Sequence, residues 1–504
     1  MSSAVKRLAK ESAIYGISTI LARFLNFLLT PFYTQIFVPS DFGIISTFFS
    51  LMAFLNILFM FGLPQAYLRF ASDTKEEDRH LLYSTVQFLI LGIAVILSLI
   101  LLTGSPLLLD TFRFPESLGN LVIWMVLILL MDSLCAVPQN DLRLDNRSLT
   151  FSAVKLTNIV VNLAGNFVFL LYFETGIIGV FYANALASAV TLLLSLYLTR
   201  QHVSLLPSIK WESLKPLFLF SLPLIPTGFG SMINEVSDRL FIQRLDAGTI
   251  QSLYPASAFS SPDLVGFYSA AHKLGIVMML VVQMFNMAWT PFFLNESKKP
   301  GWEKSFSGIF SLFLFFMIFL GFLFSFFMDD LLKISIGGYH LIPPAYWFGL
   351  QVVPFVVLSY IFNGTYYFFT FGLYLEKKTS RILTIMLAGV GVTILGNLIL
   401  LPLLGIVGSA ITLMICYFTM SQLMFRQSQK MKPIPIDKVY VTKLILVSLP
   451  FWGLAIWHQM TQSLDLWMKL VALAGFIGLI FSFKLWTIEQ SKRLLLLISG
   501  KKKV

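Results

Sequence analysis

Charge is scarce in this sequence: Asp, Glu, Lys and Arg make up 12% of the 504 residues, against 57% apolar. A soluble domain carries about twice that share of charge and cannot hide so much apolar side chain. A soluble fold is therefore excluded. The mean hydropathy of +0.81 points instead to an all-α chain that crosses the membrane many times. Cysteine is nearly absent, and the two that occur, Cys135 and Cys416, both fall inside apolar runs. No disulfide framework is implied. Several motifs are missing too: there is no G-x-x-x-x-G-K-[ST] loop, no H-E-x-x-H, no G-x-S-x-G and no Cys/His metal spacing. ATP hydrolysis and metal-assisted hydrolysis are not expected, nor is any enzymatic activity, cofactor or metal. Outer loops are short and poor in carboxylates apart from Asp329 and Asp330, unlike those a membrane glycosyltransferase or polymerase would present. No small-residue cleavage site follows a short apolar core, so no cleavable signal peptide is expected.

What the chain has is long apolar runs. About fourteen reach span length, with approximate limits 12–38, 41–68, 80–104, 117–138, 148–173 and 176–200 for the first six. The next six are 214–245, 264–292, 305–328, 345–373, 378–401 and 404–426, and a last pair covers 440–458 and 467–488. Basic residues test this count. With the N-terminus inside, alternate connections and the tail collect 28 of the 36 Lys and Arg, while the opposite side holds Arg113, Arg239, Arg244, Lys333 and Lys469. Losing one helix would invert everything after it, so the bias supports the count and places both termini in the cytoplasm. The formal charge of +11 then reflects topology, and no nucleic-acid partner is expected.

The chain also repeats itself. Phe32-Tyr33-Thr34-Gln35-Ile36-Phe37 followed by Ser40-Asp41-Phe42-Gly43 is echoed by Leu240-Phe241-Ile242-Gln243-Arg244-Leu245 followed by Pro262-Asp263-Leu264-Val265-Gly266. The second copy carries an insertion, 246–262, in an outer loop. Predicted helix 1 thus corresponds to predicted helix 7, and two six-helix lobes of parallel topology are expected. Their limits are 1–205 and 206–428, with a basic linker, an appended helix pair and a basic tail over 429–504.

Polar residues inside the spans carry the functional signal. Arg23 lies midway along predicted helix 1, on a face with Thr19, Asn26, Thr30 and Tyr33. A charge there is costly and faces a bundle interior or a water-filled cavity. Two readings stay open, burial against Asp132 as an ion pair, or a contact to phosphate oxygens of a substrate. Predicted helix 5 aligns Lys155, Asn158, Asn162 and Asn166, as glue between helices or as hydrogen-bonding groups of a cavity. Lys155 also has the option of snorkelling to the interface. Predicted helix 7 aligns Thr227, Ser231, Asn234, Glu235 and Asp238 beside Arg239, after Pro223, Pro226, Gly228 and Gly230, which weaken the helical ladder and mark a bending point. Either Glu235 and Arg239 neutralise each other, or the cluster meets substrate or a coupling cation. His272 and Lys273 enter predicted helix 8, where the lone histidine reads as a packed side chain.

Ser12-Ala13-Ile14-Tyr15-Gly16 through Arg23, then Pro39-Ser40-Asp41-Phe42-Gly43 and Gly62-Leu63-Pro64, resembles the polysaccharide-biosynthesis flippases of the multidrug, oligosaccharidyl-lipid and polysaccharide exporter superfamily. Asp238-Arg239-Leu240-Phe241-Ile242 with Val265-Gly266-Phe267-Tyr268-Ser269-Ala270-Ala271 is similar to the matching element of the second lobe. The resemblance implies two lobes around a cavity that opens alternately to each side. It also implies movement of an undecaprenyl-pyrophosphate-linked oligosaccharide to the outer leaflet of a bacterial inner membrane, with membrane lipids and polymerase or export machinery as partners. Arg23 and Arg239 match basic elements of the family, and the last helix pair matches one that forms a groove for the lipid tail. The expected substrate-binding set is Arg23, Asn26, Thr30, Lys155, Asn158, Asn162, Asn166, Ser231, Asn234 and Arg239, with Asp132, Glu235 and Asp238 as candidates for cation coupling. A cation-coupled drug exporter and an integral-membrane polysaccharide polymerase or ligase are the rival functions.

Overall fold

The structure, a computed structural model, describes residues 29–203, 211–378 and 380–486. Arg23 and Asn26 lie outside the described residues. From residue 29 the end of predicted helix 1 is helical to residue 36. Then follow α1 (Pro39–Met60), α2 (Leu63–Ala71), α3 (Glu76–Thr103), α4 (Ser105–Thr111), α5 (Gly119–Leu144), α6 (Ser148–Phe167) and α7 (Ile177–Leu198). The chain continues through α8 (Trp211–Ser221), α9 (Leu224–Gln243), α10 (Ala247–Leu253), α11 (Ser261–Glu296), α12 (Trp302–Lys333) and α13 (Val353–Leu375). It ends in α14 (Ser380–Leu404), α15 (Ile406–Met431), α16 (Lys438–Thr461) and α17 (Leu466–Ser482). The extended elements among the described residues are two-residue strands, β1 (Ser335–Ile336) and β2 (Tyr339–His340), paired antiparallel.

Twelve helical stretches of the described residues are long and apolar enough to cross a bilayer, and α17 is apolar but only 17 residues long. They match predicted helices 2 to 14, with breaks where glycine and proline dictate them. Predicted helix 2 is interrupted at Phe61 and Gly62, whose φ values of 51° and 68° are left-handed, and Pro64 stands in the first turn of α2. Predicted helix 7 divides into α8 and α9 around Leu222 and Pro223, at the expected bending point. Asp437 and Asp465 cap α16 and α17 by accepting the N–H groups of Tyr440 and Met468 at 2.9 Å each. One expectation needs correcting. Asp329 and Asp330 are not loop residues, because α12 runs on to Lys333 and Asp329 is fully buried.

The described helices form two compact units. One contains the described residues up to Lys273 together with Met386–Thr412, and the other contains Leu274–Ile385 with the described residues from Leu413 onward. This grouping by contact is distinct from the repeat-based lobes.

In the first unit the sequence repeat becomes a physical junction. A Cβ on Gly43 would run into the carbonyl of Pro262, and a Cβ on Gly266 would run into the carbonyl of Pro39. The two motifs therefore cross backbone to backbone, each glycine admitting the proline four residues before the other. Thr47 and Gln243 sit 3.5 Å apart nearby, and Gln243 Nε2 donates to the carbonyl of Phe112 at 3.0 Å. The insertion is anchored here as well. Asp246 caps α10, accepting from Thr249 N at 2.9 Å and Thr249 Oγ1 at 2.6 Å, bonds that hold its carboxyl below the usual range. Tyr254 accepts the Ile406 N–H at 3.1 Å and fills the space beside Gly405 (φ 60°), while burial pushes its phenol up.

The second unit is held by aromatic packing and by one charged cluster. Trp289 stacks on Phe368 with centroids 4.4 Å apart and donates its indole N–H to the Phe368 carbonyl at 2.9 Å. The cluster joins α12, α16 and α17. Lys469 Nζ reaches Asp329 Oδ1 at 2.7 Å and also pairs with Asp330, while Lys333 reaches Asp329 Oδ2 at 2.9 Å. His458 accepts the Leu464 N–H on Nδ1 at 3.2 Å, which leaves Nε2 as the donor to Asp329 Oδ2 at 3.1 Å. Gln459 adds a bond to Asp329 Oδ1 at 3.2 Å. Two carboxylates, two ammonium groups and a neutral imidazole balance, as a buried ionic site requires.

Candidate functional site

The inward face of α6 is where the predicted residues converge. Lys155, Asn162 and Asn166 lie within about 40° of one another on a helical wheel of 100° per residue. Their neighbours show which way that face points. Tyr33 donates its hydroxyl to Asn166 Oδ1 at 2.9 Å, and Asn166 Nδ2 donates to the carbonyl and side-chain oxygens of Asn162 at 2.8 and 3.1 Å. Asn158 Nδ2 donates to Thr191 Oγ1 of α7 at 2.9 Å. The face is turned toward protein, not lipid, and Gly165 lets α6 approach α7 closely, its missing Cβ lying 3.1 Å from Ala183.

Lys155 is nevertheless accessible. The ammonium is carried about 10 Å along α6 by the rise per residue. It lies 5.9 Å from the centre of the Phe151 ring and forms no ion pair among the described residues. Asp132 of α5 is near enough for the two charges to attract, yet its carboxylate accepts a hydrogen bond from Ser188 Oγ at 2.6 Å instead. Thr30 is fully buried on the helix before α1, and its hydroxyl has no partner among the described residues.

The α9 cluster is organised differently from expectation. Arg239 does not pair with the Glu235 carboxylate. It forms a salt bridge with Asp238 at 2.8 Å and takes the Glu235 backbone carbonyl at 3.0 Å. Tyr268 of α11 donates its hydroxyl to Asp238 Oδ2, and its ring lies 5.7 Å from the Arg239 guanidinium. Asn234 is turned to α14, accepting from Thr393 Oγ1 at 3.0 Å. Glu235 stays half-buried with no hydrogen-bond partner for its carboxylate among the described residues, and Ser231 is exposed. His272 is buried beside the Tyr268 ring, 5.8 Å between centroids. Lys273 makes no ion pair among the described residues, and its ammonium rests 5.4 Å from the centre of the Phe42 ring.

A sequence profile described as "Polysaccharide biosynthesis protein" matches residues 8–295, more than half of the chain. The chain belongs to this polysaccharide-biosynthesis family. No curated protein matches it in sequence. In fold, this family member is similar to the lipid II flippase MurJ in its inward closed conformation, with 17% identity, a TM-score of 0.65 and coverage of 94% of this chain and 98% of that one. It is also similar to a variant of the Vibrio cholerae MATE transporter VcmN (16% identity, TM-score 0.52, coverage 85% and 97%). An outward-facing multidrug-resistance MATE transporter of the MOP superfamily aligns at 15% identity and a TM-score of 0.51, with coverage of 84% and 95%. The family member therefore has the MurJ/MATE-type fold and is a multi-pass membrane protein.

Sequence reasoning missed two features. Lys273 was noted but not assigned to the site, though its lack of any acidic neighbour four residues away was a readable sign. The second is a buried network at the ends of α2, α3, α5 and α7. Asp141 accepts from Arg79 Nε at 3.0 Å and from the Tyr67 hydroxyl, with His202 Nδ1 at 2.7 Å, and Arg79 also pairs with Asp145 at 2.7 Å. Asp141, Asp145 and His202 are the group of metal-ligand type among the described residues, their ligand atoms within 4.8 Å. The Arg79 guanidinium already supplies the cation there, so the geometry is that of a structural ion cluster.

Proposed function

We propose that this chain is a flippase that carries an undecaprenyl-pyrophosphate-linked oligosaccharide from the cytoplasmic to the outer leaflet of a bacterial inner membrane, for cell-surface polysaccharide. The observation that carries the reading is the charge balance inside the first unit. Lys155 and Lys273 have no carboxylate partner among the described residues, while Asp132 is held by Ser188 and Asp238 by Arg239 and Tyr268. Surplus cations at membrane depth favour an anionic headgroup over an organic cation, and the family supports a polysaccharide precursor.

Moving a sugar-pyrophosphate through about 30 Å of hydrocarbon without a lined path is prohibitive. In this reading Lys155 and Arg23 meet the diphosphate, and Asn26, Asn158 and Asn162 face the sugars. Asn166, committed to Tyr33, supports that wall. The bias of basic residues supports cytoplasmic termini. Membrane potential supplies about 2.3 kcal/mol per charge per 100 mV, and Glu235, whose carboxylate has no hydrogen-bond partner among the described residues, is assigned to a coupling cation. Polymerase and export machinery would take the product.

The test is to delete the gene and locate the lipid-linked oligosaccharide. Accumulation on the cytoplasmic leaflet is expected. Unpolymerised units accumulating on the outer face would overturn the reading in favour of a polymerase or ligase.

A further inference from the structure

We infer that Ser188 of α7 is a positioning residue that keeps Lys155 available to an anionic headgroup by holding the Asp132 carboxylate away from it. The inference rests on the flippase reading only for the identity of the anion. Its geometry stands on three helices of the first unit. Asp132 (α5) and Lys155 (α6) attract each other through space, but no Asp132 oxygen comes within the 4.0 Å of an ion pair. Between two such groups in a low-dielectric span, contact is the expected outcome. The contact Asp132 does make fixes its orientation: the Ser188 hydroxyl, on a residue 1% exposed, donates to Asp132 Oδ1 at 2.6 Å.

Ser188 does not act alone. Thr191 is three residues further along α7 and so on the same face. It accepts from Asn158 Nδ2 at 2.9 Å while donating to the Ala187 carbonyl at 2.7 Å. One stripe of α7 thus fixes an acid from α5 and an amide from α6. Lys155 of α6 is left without an ion-pair partner among the described residues. A collapsed Asp132–Lys155 pair would cancel the charge a headgroup is to meet, and a substrate phosphate would then compete with an internal carboxylate. The hydroxyl of Ser188 orients that competitor without removing the acid, which stays in place as a local counter-charge.

The experiment compares full-length wild type, Ser188→Ala, Asp132→Asn and the Ser188→Ala/Asp132→Asn double variant. The purified proteins are treated with an amine-acetylating reagent at one fixed pH, and the rate at Lys155 is read by peptide mass spectrometry against Lys430 as an internal reference. An ion pair keeps an ammonium protonated and unreactive. Ser188→Ala is therefore expected to slow acetylation of Lys155 roughly three- to tenfold, as a partly desolvated charge pair would, and the double variant is expected to return to the wild-type rate. Loss of packing alone would not be repaired by Asp132→Asn. Wild-type reactivity in Ser188→Ala, or no recovery in the double variant, overturns the inference.

Glycan export in cells is the second readout. A fall in Ser188→Ala with recovery in the double variant supports the link to the headgroup. If acetylation changes as expected while export is identical in all four proteins, the hydrogen-bond role stands and the headgroup reading fails.

Discussion

Two lysines, Lys155 and Lys469, both face carboxylates inside this membrane protein, and they are treated in opposite ways. Lys469 is fully buried and bonded to Asp329 and Asp330, and both oxygens of Asp329 are held by further donors from His458 and Gln459. Lys155 is accessible, and Asp132, the acid that attracts it, is bonded to a serine. The first arrangement cancels charge and fastens α16 and α17 to α12. The second leaves an ammonium without an ion-pair partner among the described residues. Proximity of opposite charges therefore does not separate structure from function, whereas hydrogen-bond satisfaction does.

The largest effect should come from breaking the satisfied side. Removing one partner of a buried pair costs about 3–5 kcal/mol, because the other charge is left stranded. Lys469→Met is expected to lower the thermal midpoint of the detergent-solubilised protein sharply and to reduce its level in membranes. Adding Asp329→Asn should restore part of the loss. An unchanged midpoint for Lys469→Met would mean that the cluster is not a staple, and the contrast between the lysines would collapse.

A smaller effect is expected where no charge is involved. At the repeat junction each glycine admits the other motif's proline carbonyl, and a methyl group has no room. Gly266→Ala should cost about 1–3 kcal/mol, the range for overpacking a close contact, and Gly43→Ala about the same because the junction is reciprocal. Thermal unfolding of both variants checks this. A clear inequality between them would show that the repeat is symmetric in sequence but not in mechanics.

How much of this was readable before any coordinates follows the range of the interactions. Span limits came within a few residues because an apolar run is a local signal, and the break between α8 and α9 followed from Pro223 and its neighbours. The repeat was readable as well, since Pro39 to Gly43 and Pro262 to Gly266 keep their spacing. Pairing was not. Asp329 looked like a loop residue because its partner Lys469 is 140 positions away. The α9 cluster misled for a different reason: four-residue spacing puts Glu235 and Arg239 on one face, but rotamers decide the contact, and Asp238 takes the guanidinium. Ser188 was invisible, since nothing about a serine in an apolar helix announces an acid 56 residues earlier.

The smallest effect on stability should belong to the residue with the largest proposed effect on transport. Lys155 is accessible and forms no ion pair among the described residues, so Lys155→Ala is expected to change folding stability by no more than about 0.5 kcal/mol, as at other sites without buried partners. Transport should respond differently. A hydrogen bond to a charged group contributes about 1.5–3 kcal/mol, which at 1.4 kcal/mol per decade predicts a fall in glycan export of roughly ten- to a hundredfold. Lys155→Arg should retain most export because the charge survives, and Lys155→Gln should behave like alanine. Protein level, thermal midpoint and export must be measured on the same preparations, since only their divergence carries the argument. If Lys155→Ala destabilises as strongly as Lys469→Met, then Lys155 is another structural charge. If it neither destabilises nor slows export, the headgroup contact assigned to Lys155 fails, and the anion-binding proposal rests on Lys273 and Arg23.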